Sequence, residues 1–206
     1  MSRGTGRQQA VRRMPAHLPG VSALLHAVRC AAEKHRDQRR KGATASPYIN
    51  HPIAVAEQLA AAGFGDDTEL LMAAVLHDVL EDTDTSEAEL AADFGPRVAG
   101  IVREVSDDKS LPRRERRALV VRHIAQCSRS ARLVKLSDLI ANVHDVIHQP
   151  PHWNDEQKQD YLDWGEAVVR ELRGTHPGLE QRFAALLAEA RAGVKAGKQQ
   201  RATDAD

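Results

Sequence analysis

The chain has 206 residues, 42% of them hydrophobic and 28% charged, the balance of one globular domain rather than of a disordered chain. Lys plus Arg and Asp plus Glu count 29 each, so the net charge is +0 and the basic excess of a nucleic-acid binder is missing. Cys30 and Cys127 lack any paired spacing and read as free thiols. The chain has no secretory h-region and no apolar run of bilayer length, so a cytoplasmic protein with no membrane or nucleic-acid partner is expected.

Residues 1–20, with Gly, Gln, Arg, Pro15 and Pro19, read as a flexible N-terminal arm. The first helix is expected over 21–36, where Leu24, Leu25, Val28 and Ala31 recur at helical spacing. A loop with Arg39-Arg40-Lys41-Gly42 follows, and Pro52 suits the first turn of a helix over 52–62 that Gly63 ends. Asp66 to Glu69 resembles a capping box for a helix over 70–80 that is apolar on every side, hence buried. Ser86 with Glu89 starts a helix to Phe94, and Gly95-Pro96 separates it from one over 97–105. A charged helix over 112–126 and a second apolar helix over 132–147 come next, then helices over 155–172 and 178–192. No strand pattern appears, so the fold class is all-α: one domain over 21–192, with 193–206 as a flexible tail.

Polar groups inside the two most apolar helices stand out. The helix over 70–80 runs into His77-Asp78, and the helix over 132–147 carries Asp138 between Leu136 and Leu139. A buried carboxylate needs an ion-pair partner or a metal. His77 and Glu81 are four residues apart, as are Asp78 and Asp82, and Asp138, Asn142 and Asp145 share a face, so two helices can present converging donors. His51 offers a further nitrogen. On residues alone, Asp138 paired with Lys135 or Arg132 remains open, and the Arg36 to Lys41 cluster reads as a solvated loop. Asp107-Asp108-Lys109 reads as a turn before Pro112. The arginines at 113, 114, 116, 117 and 122 read as a solvated face. Trp153, Tyr161 and Trp164 read as packing, with Tyr161 also suited to a site wall.

Several segments together resemble the HD-domain hydrolases of the RelA/SpoT type, above all the small stand-alone alarmone hydrolases. They are Gln38-Arg39-Arg40-Lys41, Pro47-Tyr48-Ile49-Asn50-His51-Pro52-Ile53, Leu76 to Thr83, Phe94-Gly95, Asp107 to Pro112 and Val134-Lys135-Leu136-Ser137-Asp138. The resemblance implies a helical bundle with one divalent-metal site on His51, His77, Asp78 and Asp138. It implies Glu81 and Asp82 as the groups that handle water, and Arg40, Lys41 and Asn142 as nucleotide contacts. Mixed nitrogen and oxygen donors suit Mn²⁺ and also admit Zn²⁺, Fe²⁺ or Co²⁺. The implied reaction removes the 3′-pyrophosphate of ppGpp or pppGpp, giving GDP or GTP. Two alternatives stand beside it: an HD phosphohydrolase acting on another nucleotide such as NADPH, and a nucleotide-binding regulatory protein without turnover. The chain departs from the family at Leu139, commonly Lys, and at His144, commonly Arg. The pattern specifies no oligomeric state.

Overall fold

A computed structural model describes residues 20–42, 45–148, 150 and 152–203. Its regular structure is helical: α1 (Gly20–Lys34), α2 (Asn50–Leu59), α3 (Thr68–Leu76), α4 (Val79–Asp82), α5 (Glu87–Phe94), α6 (Pro96–Val105), α7 (Arg113–His123), α8 (Arg129–His148), α9 (Asp155–Glu171) and α10 (Pro177–Thr203). A π turn over Ala60–Phe64 follows α2, and a 3₁₀ turn over Ile124–Gln126 follows α7. Among the described residues, β pairing amounts to one isolated bridge between Arg39 and Pro47. The all-α expectation holds. Of the expected arm only Gly20 is described.

Two apolar helices organise the bundle. α3 buries every residue from Leu70 to Leu76 and packs against α1, α2 and α6. α8 buries Leu133, Val134, Leu136, Leu139, Ile140 and Val143 and packs against α2, α6 and α10. Full burial of such a side chain contributes about 2 kcal/mol, which explains how these helices can hold a few polar groups in the core.

The boundaries differ from expectation for local reasons. α2 begins at Asn50, so His51 sits within its first turn and is buried. α2 gives way at Leu59 to the π turn, and Gly63, expected to end the helix, breaks the helical path inside that turn with φ 99°, a left-handed conformation that glycine adopts without steric penalty. Asp67, not Asp66, caps α3: its carboxylate accepts from Leu70 N at 3.1 Å, while Glu69 pairs with Arg97 at 3.0 Å. The helix expected over 70–80 is broken at His77-Asp78 into α3 and α4. α10 continues to Thr203 instead of ending near 192, because Ala, Lys, Gln and Arg are good helix formers and outweigh the glycines at 193 and 197, with no proline to stop the helix.

Candidate metal centre and its cleft

The break between α3 and α4 has an identifiable cause. His77 Nδ1 lies 2.8 Å from Ala74 O, the carbonyl that a continuing helix would offer to the amide of Asp78. Asp78 takes φ −98°, ψ −3°, and the chain turns before α4. A carbonyl only accepts, so Nδ1 carries a proton and Nε2 is the nitrogen aimed into the protein. That Nε2 is buried and makes no hydrogen bond.

Around it converge donors from three helices. His51 from the start of α2, His77 from the end of α3 and Asp138 from the middle of α8 place ligand atoms within 4.8 Å of one another, all three residues buried. His51 Nε2 is 3.1 Å from Asp138 Oδ1, and His77 Nε2 is 3.7 Å from the same oxygen. Asp78 Oδ2 joins them, 3.0 Å from His77 Nε2 and 3.9 Å from His51 Nε2. Two imidazoles and two carboxylates packed so closely, with His77 Nε2 facing carboxylate oxygens but aligned with none as a hydrogen-bond donor, fit a divalent cation.

The electrostatics are those of mutually compensating charge. Burial pulls the His77 pKa down, but the carboxylates of Asp78 and Asp138 outweigh it and push it up to about 10. Burial alone lowers Asp78 acidity, yet the adjacent His77 and His51 hold its pKa well below the carboxylate range. Burial acts the same way on Asp138, and Lys135 and the two imidazoles again overcome it. His51 is depressed by its burial. Lys135 loses solvation, but Asp138 and Asp107 keep its ammonium charged.

These donors open onto a cleft of about 830 Å³. Glu81 and Asp82, from α4, line it beside Asp107. Glu81 Oε2 accepts from Asp107 N at 3.2 Å, and burial together with the Asp107 carboxylate raises the Glu81 pKa. Asp82 pairs with Lys109. Arg40 donates to Asp145 Oδ2 at 2.6 and 2.9 Å and to Asn142 Oδ1 at 2.7 Å. Asn142 Nδ2 in turn donates to Asp138 Oδ1 at 2.6 Å. Arg40, Lys41 and Asn142 thus all border the cleft, with two of them tied into a chain that ends on Asp138.

Three readings of the sequence change in part. Of the arginines read as a solvated face, Arg113, Arg116 and Arg117 line the cleft while Arg114 stays exposed, and Asp107 and Lys109 border the same space. Trp153, Tyr161 and Trp164 form an aromatic row beside these arginines, with neighbouring ring centroids 5.3 and 5.6 Å apart, Arg113 5.8 Å over Trp153 and Arg117 5.4 Å over Tyr161. Tyr48, unremarked except as part of a motif, donates to Asp78 Oδ2 at 2.6 Å. A helical wheel for α7 alone could have flagged Arg113, Arg116 and Arg117, which follow the i, i+3, i+4 pattern. Neither departure supplies a donor: Leu139 is fully buried in the core, and His144 is exposed, 3.8 Å from Asp145 and beside the His148 ring at 4.3 Å.

The HD domain family matches residues 27–163. The chain is 46% identical over 170 residues to the guanosine-3′,5′-bis(diphosphate) 3′-pyrophosphohydrolase of Danio rerio, covering 82% of this chain and 94% of the relative. It is 44% identical over 162 residues to the Homo sapiens protein of the same name, covering 78% and 90%. A solved metazoan ortholog of SpoT that hydrolyses ppGpp matches with a TM-score of 0.79 and 40% identity, over 84% of this chain and 98% of that one.

Proposed function

The chain belongs to the HD-domain family, and from that premise we propose that it is a guanosine-3′,5′-bis(diphosphate) 3′-pyrophosphohydrolase whose active site is the cleft above His51, His77 and Asp138. The observation that carries this reading is the convergence of those three ligand groups beneath Glu81 and Asp82 and beside a row of cations. Identity of 46% over nearly the whole length of an enzyme of that name supports the substrate.

His51, His77, Asp78 and Asp138 would hold one divalent cation, and the mixed donor set suits Mn²⁺, the ion the family resemblance implies, while admitting Zn²⁺, Fe²⁺ or Co²⁺. When bound, the cation supplies Lewis acidity toward a phosphate oxygen and toward water. In the reaction a water oxygen bonds to the phosphorus attached to ribose O3′, the P–O3′ bond breaks, and O3′ gains a proton. ppGpp thus yields GDP and pyrophosphate, and pppGpp yields GTP and pyrophosphate.

The residues divide the remaining work. Glu81 takes the proton from water, a role that suits a buried carboxylate whose pKa burial and Asp107 raise. Asp82, held by Lys109, orients the water. Lys109, Arg116 and Lys135 offset the charge of the departing pyrophosphate. Arg40, Lys41 and Asn142 hold the nucleoside, and the Trp153–Tyr161–Trp164 row, with Arg113 and Arg117 stacked on it, forms part of the cleft wall. A volume of about 830 Å³ suits one nucleotide. The free thiols Cys30 and Cys127 fit a reducing cytoplasm, and no helix among the described residues is long and apolar enough to cross a membrane.

Resolution of the products on an anion-exchange column tests the proposal. Metal-loaded protein turns ppGpp into GDP and pyrophosphate in equal amounts. Orthophosphate as the product, or turnover of NADPH with ppGpp untouched, overturns it.

A further inference from the structure

Tyr48 has no part in the chemistry above, yet it is held more firmly than most residues of the cleft. Its hydroxyl donates to Asp78 Oδ2 at 2.6 Å, and a carboxylate only accepts, so the direction of that bond is fixed. Burial and the facing Asp78 keep the phenol protonated. The ring is fixed from several sides. The buried His35 ring lies 4.9 Å away, the His51 ring sits edge-on at 6.0 Å, and the Arg40 guanidinium lies 5.6 Å over its face. Tyr48 N donates to Gln38 O at 3.2 Å. His35 Nδ1 bonds Gln38 Oε1 at 2.8 Å, and Gln38 Nε2 donates to Asp82 O at 2.8 Å, so the loop that carries Tyr48 is anchored at the end of α4.

Asp78 has particular need of such a partner. It sits in the break between α3 and α4 as the N-cap of α4: its carbonyl accepts from Asp82 N at 2.9 Å, while its side chain caps no amide and takes its direction from other partners. Asp138 receives matching support from Asn142 Nδ2 at 2.6 Å. Each carboxylate of the centre therefore has a neutral donor on one of its oxygens.

We infer that Tyr48 is a positioning residue whose hydroxyl aims the Asp78 carboxylate, so that cation affinity depends on it while nucleotide binding does not. The inference rests on the metal-centre reading above. It goes beyond that reading by assigning the task to a cleft residue that is not among the cation's ligands. Outer partners of metal ligands typically change affinity about 10- to 100-fold when removed.

Tyr48→Phe removes the hydroxyl and keeps the ring beneath Arg40. Free Mn²⁺ is followed by electron paramagnetic resonance as it is titrated into metal-stripped wild type and variant. The variant is expected to bind about tenfold more weakly. Its melting temperature in chelator and its KM for ppGpp at saturating Mn²⁺ stay at wild-type values, and excess Mn²⁺ restores kcat. A dissociation constant within twofold of wild type overturns the assignment, as does a kcat deficit that saturating Mn²⁺ leaves in place. A variant unfolded in chelator also overturns it, since the role would then be structural. If wild type itself takes up no Mn²⁺, the metal-centre reading fails instead.

Discussion

His77 does two jobs with one ring. Nδ1 bonds Ala74 O and so ends α3 at the place where Asp78 must turn inward, and Nε2 is left to face Asp138 and His51. Glu81, one turn further, is governed by a different balance: burial and the Asp107 carboxylate raise its pKa, with Lys135 opposing. A proton acceptor works only when ionised, so kcat/KM should fall as pH drops through a value above the ordinary glutamate range. Glu81→Gln should lose about 10²- to 10⁴-fold in kcat, with no remaining acid limb and Mn²⁺ affinity near wild type. A pH–rate profile of both proteins checks this; an unchanged acid limb in Glu81→Gln would assign the base elsewhere. The donors His77 and Asp138 were legible in the sequence because polar residues inside apolar helices stand out, whereas His51, expected just ahead of the helix over 52–62, was singled out by the motif it shares with the HD-domain hydrolases. Tyr48 was not, since a tyrosine beside a loop proline carries no signal until Asp78 turns to meet it.

At the scale of the helix, the sequence patterns located α3 and α8 as buried but not what their ends do. Continuous apolar periodicity through Leu80 hid the break, because a side chain competing for a backbone carbonyl leaves the hydrophobic pattern intact. α7 was misread for the opposite reason. Its composition looks solvated, and only its placement beside α9, with Trp164 Nε1 donating to Arg117 O at 3.1 Å, turns three arginines toward the cleft. The start of α3 offers a stability test. Asp67 caps the helix and accepts a two-pronged contact from Arg97 at 2.6 Å on each oxygen, about a third of its side chain remaining exposed. Asp67→Ala should lose about 1–2 kcal/mol at pH 7, mostly the cap, because the exposed ion pair adds little. The Arg97 hydrogen bond lowers the Asp67 pKa, so this stability is present above the ordinary aspartate pKa and is lost as pH falls through the folded-state value. Urea midpoints at pH 7 and pH 3 should show the gap between wild type and variant narrowing at the lower pH; a gap independent of pH would remove the Arg97 pair from the account.

Across the whole molecule, the bundle brings together residues distant in the chain: the loop at 38–48, the ends of α2 and α3, the middle of α8 and the facing α7 and α9. Loop closures of this length leave no mark in local periodicity, which is why the order of motifs and not their chemistry alone pointed to one site. The arrangement places negative charge at the buried donors and positive charge along the more open walls, which suits a cation below and a polyphosphate above. The central claim is that this chain hydrolyses ppGpp through a metal held by His51, His77, Asp78 and Asp138. Its most direct test follows pyrophosphate release from ppGpp while Mn²⁺ is titrated into metal-stripped wild type and His77→Ala. Wild type should be silent in chelator and reach full rate at one equivalent of bound Mn²⁺, with His77→Ala at least about 100-fold slower at the same concentration. Turnover by wild type in chelator, or by His77→Ala at the wild-type rate, would contradict the account.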